Sequence, residues 1–199
     1  RVDTGILESE SNVLDVLRLL NKRYLDLEPK ERAKKIQKHL DRGNADGAEQ
    51  LKQFDAIFFG AVGAPDVPDH ITLWGLRLAI CQPLDQYANV RPARILPGIT
   101  SPLRNATAEN LDWLIVRENS EGEYAGNGGR THCGLPLEVA TETSVFTRKG
   151  VTRVMRFAFD LALSRSRKHL TVVTKSNAQR YGMVLWDEIA SEVATEFPD

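Results

Sequence analysis

The 199-residue chain has no surplus of either charge: 26 basic against 27 acidic residues leave a formal net charge of −1. No global field draws such a chain to nucleic acid, so an anion must be bound by locally placed arginines. Cysteine is scarce. Cys81 and Cys133 lack CxxC spacing, which excludes a disulfide framework or an all-cysteine zinc site and reads as two reduced thiols in a cytoplasmic protein. The histidines His39, His70, His132 and His169 have no metal-ligand spacing. No apolar run approaches a membrane span, the richest being the strand-sized Ala56–Val62. The opening RVDTGILESES lacks the apolar core of a signal peptide and an initiator Met, so a fragment or processed form is expected. Internal repeats and low-complexity linkers are also missing.

What is present is enough to fold. Hydrophobic residues make up 42% of the chain, sufficient for a core in one domain or parts of two. Residues 1–50 read as helical and solvated, with Pro29 in the first turn of a basic helix and Asp46 capping a short one. FDAIFFGAVGAP reads as a buried strand running into a turn, where Gly60 and Gly63 let the backbone approach closely, as suits a ligand edge in an α/β sheet or plain strand punctuation. Asp66 and Asp69 read as turn residues. ITLWGLRLAICQ suggests a helix with Arg77 and Cys81 on one face. YANVRPARILPG reads as extended and broken by prolines, 111–119 as a strand, NGGRTHCG as a turn, and LEVATETSVF as an exposed strand or arm. Val151, Val154, Met155, Ala158, Leu161 and Ala162 form one apolar helical face. HLTVVTKSN predicts a strand ending at Lys175, with a last helix over about 179–196. This alternation of strand and helix argues for an α/β protein.

The polar residues gather at strand ends. In WLIVRENSEGEYAG the apolar run Trp113–Val116 gives way to a dense polar cluster. Arg117 closes that strand, and Arg91 follows Tyr-Ala-Asn in the earlier extended segment. A guanidinium pairs bidentately with a carboxylate, and several together select a dicarboxylate; singly, each is an ordinary surface ion-pair partner. Tyr124 offers a phenol that can act as an acid or simply pack. Lys175 at a strand end can serve as a base if partly desolvated, or stand in water.

Read in order, FDAIFFGAVGAPDVPDHITLWG, DQYANVRP, VRENSEGEY, SVFTRKGVTRVMRFAFDLA and TKSN resemble the β-decarboxylating dehydrogenases, which act on isocitrate, 3-isopropylmalate, tartrate or D-malate. GAVGAPDVPDH, LWG and DQYANVRP look most like the tartrate/D-malate branch, and the resemblance covers about residues 45–199. It implies an incomplete isopropylmalate-dehydrogenase-like fold, a mixed sheet with flanking helices. Residues 1–84 would be part of a nucleotide-side domain with a divergent helical start, and 85–199 most of the substrate and dimer domain. Arg91 and Arg117 would hold substrate carboxylates. Tyr124 would protonate the enol left after decarboxylation. Lys175 would be the general base, reaching in from a neighbouring subunit, and Asn177 would lie near the nicotinamide of NAD. Mn²⁺ or Mg²⁺ would polarise the developing carbonyl. The sequence departs from the family at Cys81, where an arginine is usual; Arg77, one helical turn earlier, is its candidate replacement for substrate binding. The family's metal aspartates and adenosine loop fall beyond Asp199. The chain alone is therefore expected to bind Mn²⁺ and NAD poorly, to be impaired in turnover and to self-associate. A non-catalytic partner for a complete paralogous subunit is the alternative reading, and a 3-isopropylmalate-type enzyme is another. The expected partners are a small dicarboxylate and a second subunit, with no nucleic acid and no membrane.

Overall fold

A computed structural model describes residues 51–60, 63, 65 and 67–198. The helices expected within residues 1–50, the Asp46 cap and Asp66 lie outside the described residues. The chain divides into two compact units, Arg1–Asp85 and Gln86–Asp199.

In the first unit a single helical run begins after Pro68. It comprises α1 (Asp69–Thr72), a π-helical turn (Leu73–Leu78) and α2 (Ala79–Cys81). Asp69 is not a turn residue but opens α1, where a carboxylate suits the positive end of the helix dipole. Thr72, Leu76 and Leu78 are buried with Val67. The wide π turn adds a residue to the repeat, so the expected alignment of Arg77 with Cys81 is disturbed. Residues 56–60 do not form the expected buried strand, and Phe58 is fully exposed. An apolar run becomes a strand only when a neighbour takes its backbone hydrogen bonds, and no described residue pairs with this one.

The second unit holds two antiparallel ribbons and two helices. Strand β1 (Ala88–Arg94) pairs with β2 (Asp112–Glu118), from Ala88 opposite Glu118 to Arg94 opposite Asp112. Pro92 does not break β1 as expected. A two-stranded ribbon consists of edges, and there the missing N–H costs no ladder bond. Strand β3 (Gly122–Thr131) pairs with β4 (Val139–Val145), with an irregularity between Gly122 and Asn127. The glycine-rich stretch therefore begins as strand, and the turn starts only at His132, whose φ is 55°. At Gly128 a side chain would land on the Thr141 carbonyl, so glycine is what permits the close pairing. All of β4 is exposed, as expected of an arm. Both pairings formed among the described residues are antiparallel, which accounts for only part of the expected mixed sheet.

Helix α3 (Arg148–Leu163) starts where the Thr147 side chain accepts from Gly150 N at 3.0 Å. Its apolar face meets α4 (Gly182–Ala194). Val151, Met155, Ile189 and Val193 are buried between them, with Phe146, Trp186, Phe159 and Phe197 around the edge. Each such side chain contributes on the order of 1.5–3 kcal/mol. Arg156 holds Glu196 with two bonds of 2.6 and 2.8 Å. Arg165 holds both the carboxylate and the carbonyl of Asp112, tying the chain after α3 to the start of β2. Residues 169–174 form no strand, contrary to expectation. No described strand pairs with them, and Val173 is 84% exposed.

Candidate active site

The polar cluster after β2 divides into residues that face inward and residues that face outward. Glu118 and Asn119 are buried. The Glu118 carboxylate accepts from Ser120 N (2.7 Å), Ser120 Oγ (2.7 Å) and Glu121 N (2.8 Å). Asn119 donates from its backbone N–H to Tyr87 O (2.8 Å) and from Nδ2 to Gln86 O (2.9 Å). Arg153 on α3 donates to Ser120 Oγ at 2.9 Å and lies 4.4 Å over the Tyr87 ring. Glu121 turns to the start of α3, where Thr147 donates to it from N (2.8 Å) and Oγ1 (2.5 Å). A side chain at Gly150 would collide with that carboxylate. Gly122, at φ 68°, then redirects the chain into β3, with the Phe146 ring packed against its Cα. Most of the cluster thus braces the loop.

The outward-facing members are Arg117 and Tyr124. Arg117 Nη donates to the Tyr124 hydroxyl, and the guanidinium carbon lies 4.9 Å from the ring centroid. Asn89 pairs with Arg117 and Arg91 with Ile115. Side chains alternate along a strand, so Arg91 and Arg117 share one face of the ribbon at diagonal positions, about 7–8 Å apart by strand geometry. Two guanidinium groups on one ribbon face, with a half-buried phenol against one of them, can hold a dianion and move a proton beside it.

The remaining predicted residues lie on other elements. Lys175 and Asn177 are exposed in the connection before α4. The Lys175 carbonyl accepts from Ala178 N (3.0 Å) and Gln179 N (2.8 Å). Thr174 Oγ1 donates to Asp187 Oδ1 at 2.7 Å. Hydrogen bonds from Ser176, the larger effect, and from Thr174 hold the Asp187 carboxyl below the usual carboxylate range against the opposing effect of burial. Arg77 is half-buried in the first unit. At Gly60 and Gly63 an added Cβ would meet no described atom within 4 Å. Among the described residues no three His, Cys, Asp or Glu side chains gather as a metal donor set, so these residues by themselves do not fit Mg²⁺ or Mn²⁺.

The bracing roles of Glu118, Glu121, Arg153 and Asp187 were not legible in the sequence. Burial and partners come from segments up to 33 residues away, as between Ser120 and Arg153. Thr147 before an apolar helical face was a usable capping signal.

The isocitrate/isopropylmalate dehydrogenase family model matches residues 5–199, reaching back well before the first recognisable motif near residue 45. A protein of Agrobacterium vitis described as a probable tartrate dehydrogenase/decarboxylase is 77% identical over 155 residues, which span 78% of this chain and 43% of that protein. The D-malate dehydrogenase [decarboxylating] of Escherichia coli K12 is 51% identical over 155 residues, 77% of this chain and 43% of its own length. The tartrate dehydrogenase/decarboxylase of Pseudomonas putida is 48% identical over 154 residues, with coverage of 77% and 42%. The chain thus spans less than half the length of the curated relatives it matches. The crystal structure of isocitrate dehydrogenase from Methylococcus capsulatus superposes with a TM-score of 0.56 at 23% identity, covering 94% of this chain and 53% of that one, and this likeness concerns the fold alone.

Proposed function

This chain belongs to the isocitrate/isopropylmalate dehydrogenase family, and from that premise we propose that it serves the NAD-dependent oxidative decarboxylation of a 2-hydroxy dicarboxylic acid of the D-malate or tartrate type. The observation that carries this reading is the Arg117–Tyr124 contact on the ribbon face that also presents Arg91. The relatives that are 77%, 51% and 48% identical, with their printed tartrate and D-malate activities, favour this substrate class over 3-isopropylmalate. The unit Arg1–Asp85 is assigned to the nucleotide side and Gln86–Asp199 to substrate and dimer contacts.

On this reading Arg91 and Arg117 bind the substrate carboxylates and fix the molecule across the ribbon face. Lys175 removes the proton of the 2-hydroxyl as the C2 hydride departs. NAD supplies the hydride acceptor, and Asn177, two residues past Lys175, is assigned to its nicotinamide side. The resulting β-keto acid loses CO₂, and Tyr124 delivers a proton to the carbon from which CO₂ left. The phenolate formed in that step sits against the Arg117 guanidinium, so one residue both binds substrate and stabilises the spent acid. The family resemblance assigns Lys175 as a base donated by a second copy. A divalent cation, Mn²⁺ or Mg²⁺, belongs to the family reading. The described residues supply no donor set for it, so no step here is routed through one. A cytoplasmic location is part of the proposal; no helix of the described residues is long and apolar enough to cross a membrane.

A second reading, an assembly chain that pairs with a complete subunit, is favoured by the fully exposed strand β4. Both are tested together. Calorimetric titration with D-malate should give weak binding that Arg117→Ala and Arg91→Ala each reduce about tenfold, the weight of one charge-assisted contact. NADH formation from D-malate with NAD and Mn²⁺ should be undetectable for the chain alone. Unchanged binding in both arginine variants would remove the substrate-site reading.

A further inference from the structure

We propose that Asp187 is a positioning residue for Lys175, holding Thr174, the residue before it, so that the amine is presented away from α4. The inference rests on the reading of Lys175 as general base. Residues 169–174 lack a paired strand neighbour among the described residues, and Val173 is 84% exposed, so strand pairing does not hold the chain leading into Lys175. What holds it is α4. The Thr174 hydroxyl donates to Asp187 Oδ1 at 2.7 Å, and Ser176, half-buried on the other side of Lys175, favours the ionised form of the same carboxylate. Thr174 and Ser176 are half-buried while Lys175 between them is exposed, so the amine faces away from the carboxylate that holds Thr174. Bonds from Ala178 N and Gln179 N to the Lys175 carbonyl close the turn just beyond.

Asp187 itself is seated by the helix core. Trp186 packs edge-on against Phe146, and Ile189 is fully buried. The carboxylate is therefore a fixed point on a packed helix, and the segment carrying the base is registered against it. The depressed Asp187 carboxyl fits this arrangement, because two donors favour its ionised form.

The test uses the whole chain and compares Asp187→Ala, Asp187→Asn and the double variant Thr174→Val/Ser176→Ala. Amide hydrogen exchange at Ala178 and Gln179 should quicken about tenfold or more in Asp187→Ala and in the double variant, as local opening becomes easier. Exchange across α3 should stay unchanged, which controls for folding. The Lys175 Cε resonance, identified by its loss in Lys175→Met, should move in both of these variants. Asp187→Asn, which keeps one acceptor oxygen, should fall between them and the wild type. Wild-type exchange at Ala178 and Gln179 in Asp187→Ala, or faster exchange with an unmoved Lys175 resonance, would overturn the proposal. If Asp187→Ala does not fold, the double variant, which leaves the carboxylate in place, decides alone. The base reading is judged separately, by the effect of Lys175→Met in an assembly that turns over. Its failure would leave the clamp standing on the exchange and resonance results.

Discussion

Arg117 and Glu118 are neighbours in sequence with opposite tasks. One guanidinium points to solvent against a phenol; the next carboxylate is buried beneath three donors. Their alternation follows from the strand period of two. Glu118→Gln keeps the volume but replaces one acceptor oxygen with a donor, so at least one of the three donors loses its partner. Leaving a buried polar group unsatisfied costs about 1–3 kcal/mol, and urea denaturation should register a loss of that order. Tyr124→Phe should behave in the opposite manner. It removes a hydroxyl from a half-buried position, so stability should hold within about 0.5 kcal/mol. In an assembly that turns over, decarboxylation should slow by roughly two orders of magnitude or more, the usual weight of a general acid. Unchanged turnover in that variant would return Tyr124 to a packing role.

At the scale of elements, helix α3 organises the loop that follows β2. Its cap residue Thr147 and the glycine three positions on receive Glu121, while Arg153, in the next turn, steadies Ser120. Gly150→Ala should therefore be costly although alanine favours helices. Its methyl group would displace the Glu121 carboxylate, and an overpacked position costs typically about 1–3 kcal/mol. A thermal melt of Gly150→Ala that matched or exceeded the wild type would mean that the Glu121 bracket is dispensable. The two ribbons differ in character. β1–β2 carries the arginines and leans on α3 through Arg165 and Asp112, whereas β3–β4 stands out as an arm. That arm exposes Val139 and Val145, and the turn joining its strands exposes Leu135 and Leu137.

Those exposed apolar residues set an expectation for the whole molecule. Sedimentation of the purified chain should give species larger than a monomer, and Leu137→Lys/Val139→Lys should shift the distribution toward monomer. A strictly monomeric wild-type chain at the same concentration would contradict it. Among the described residues acid should act through three carboxylates. Glu196 is held low chiefly by its hydrogen bond to Arg156, Asp187 by Ser176 and then Thr174, and Glu109 by Thr107. A carboxyl whose folded-state pKa is depressed contributes stability that is fully present above its ordinary pKa, about 4. That contribution is lost as pH falls through the folded value. Urea midpoints should therefore be level at neutral pH and decline below about pH 4–5. Arg156→Gln should flatten the part of that decline owed to Glu196.

The sequence by itself determined whatever depends on local pattern or on ordered motifs. The amphipathic face of α3, the strand 112–118, the exposed arm and the family were all legible, because helical and strand periodicity and motif order are properties of the chain. Only the tertiary structure decided which apolar runs became strands. Ala56–Gly60 and Leu170–Thr174 have strand composition, but a strand requires a neighbour to take its backbone bonds, and none is formed among the described residues. Pro92 stayed in a strand and the glycines of β3 stayed extended because their partners lay across a ribbon, at positions that local propensity does not encode. The same holds within the polar cluster. Arg117 and Tyr124 could be chosen from the motif, but burial of Glu118, the bracket at Glu121 and the clamp at Asp187 arise from packing between segments distant in sequence. Burial is a property of the neighbours a residue acquires on folding, so no inspection of the residue alone could have assigned it.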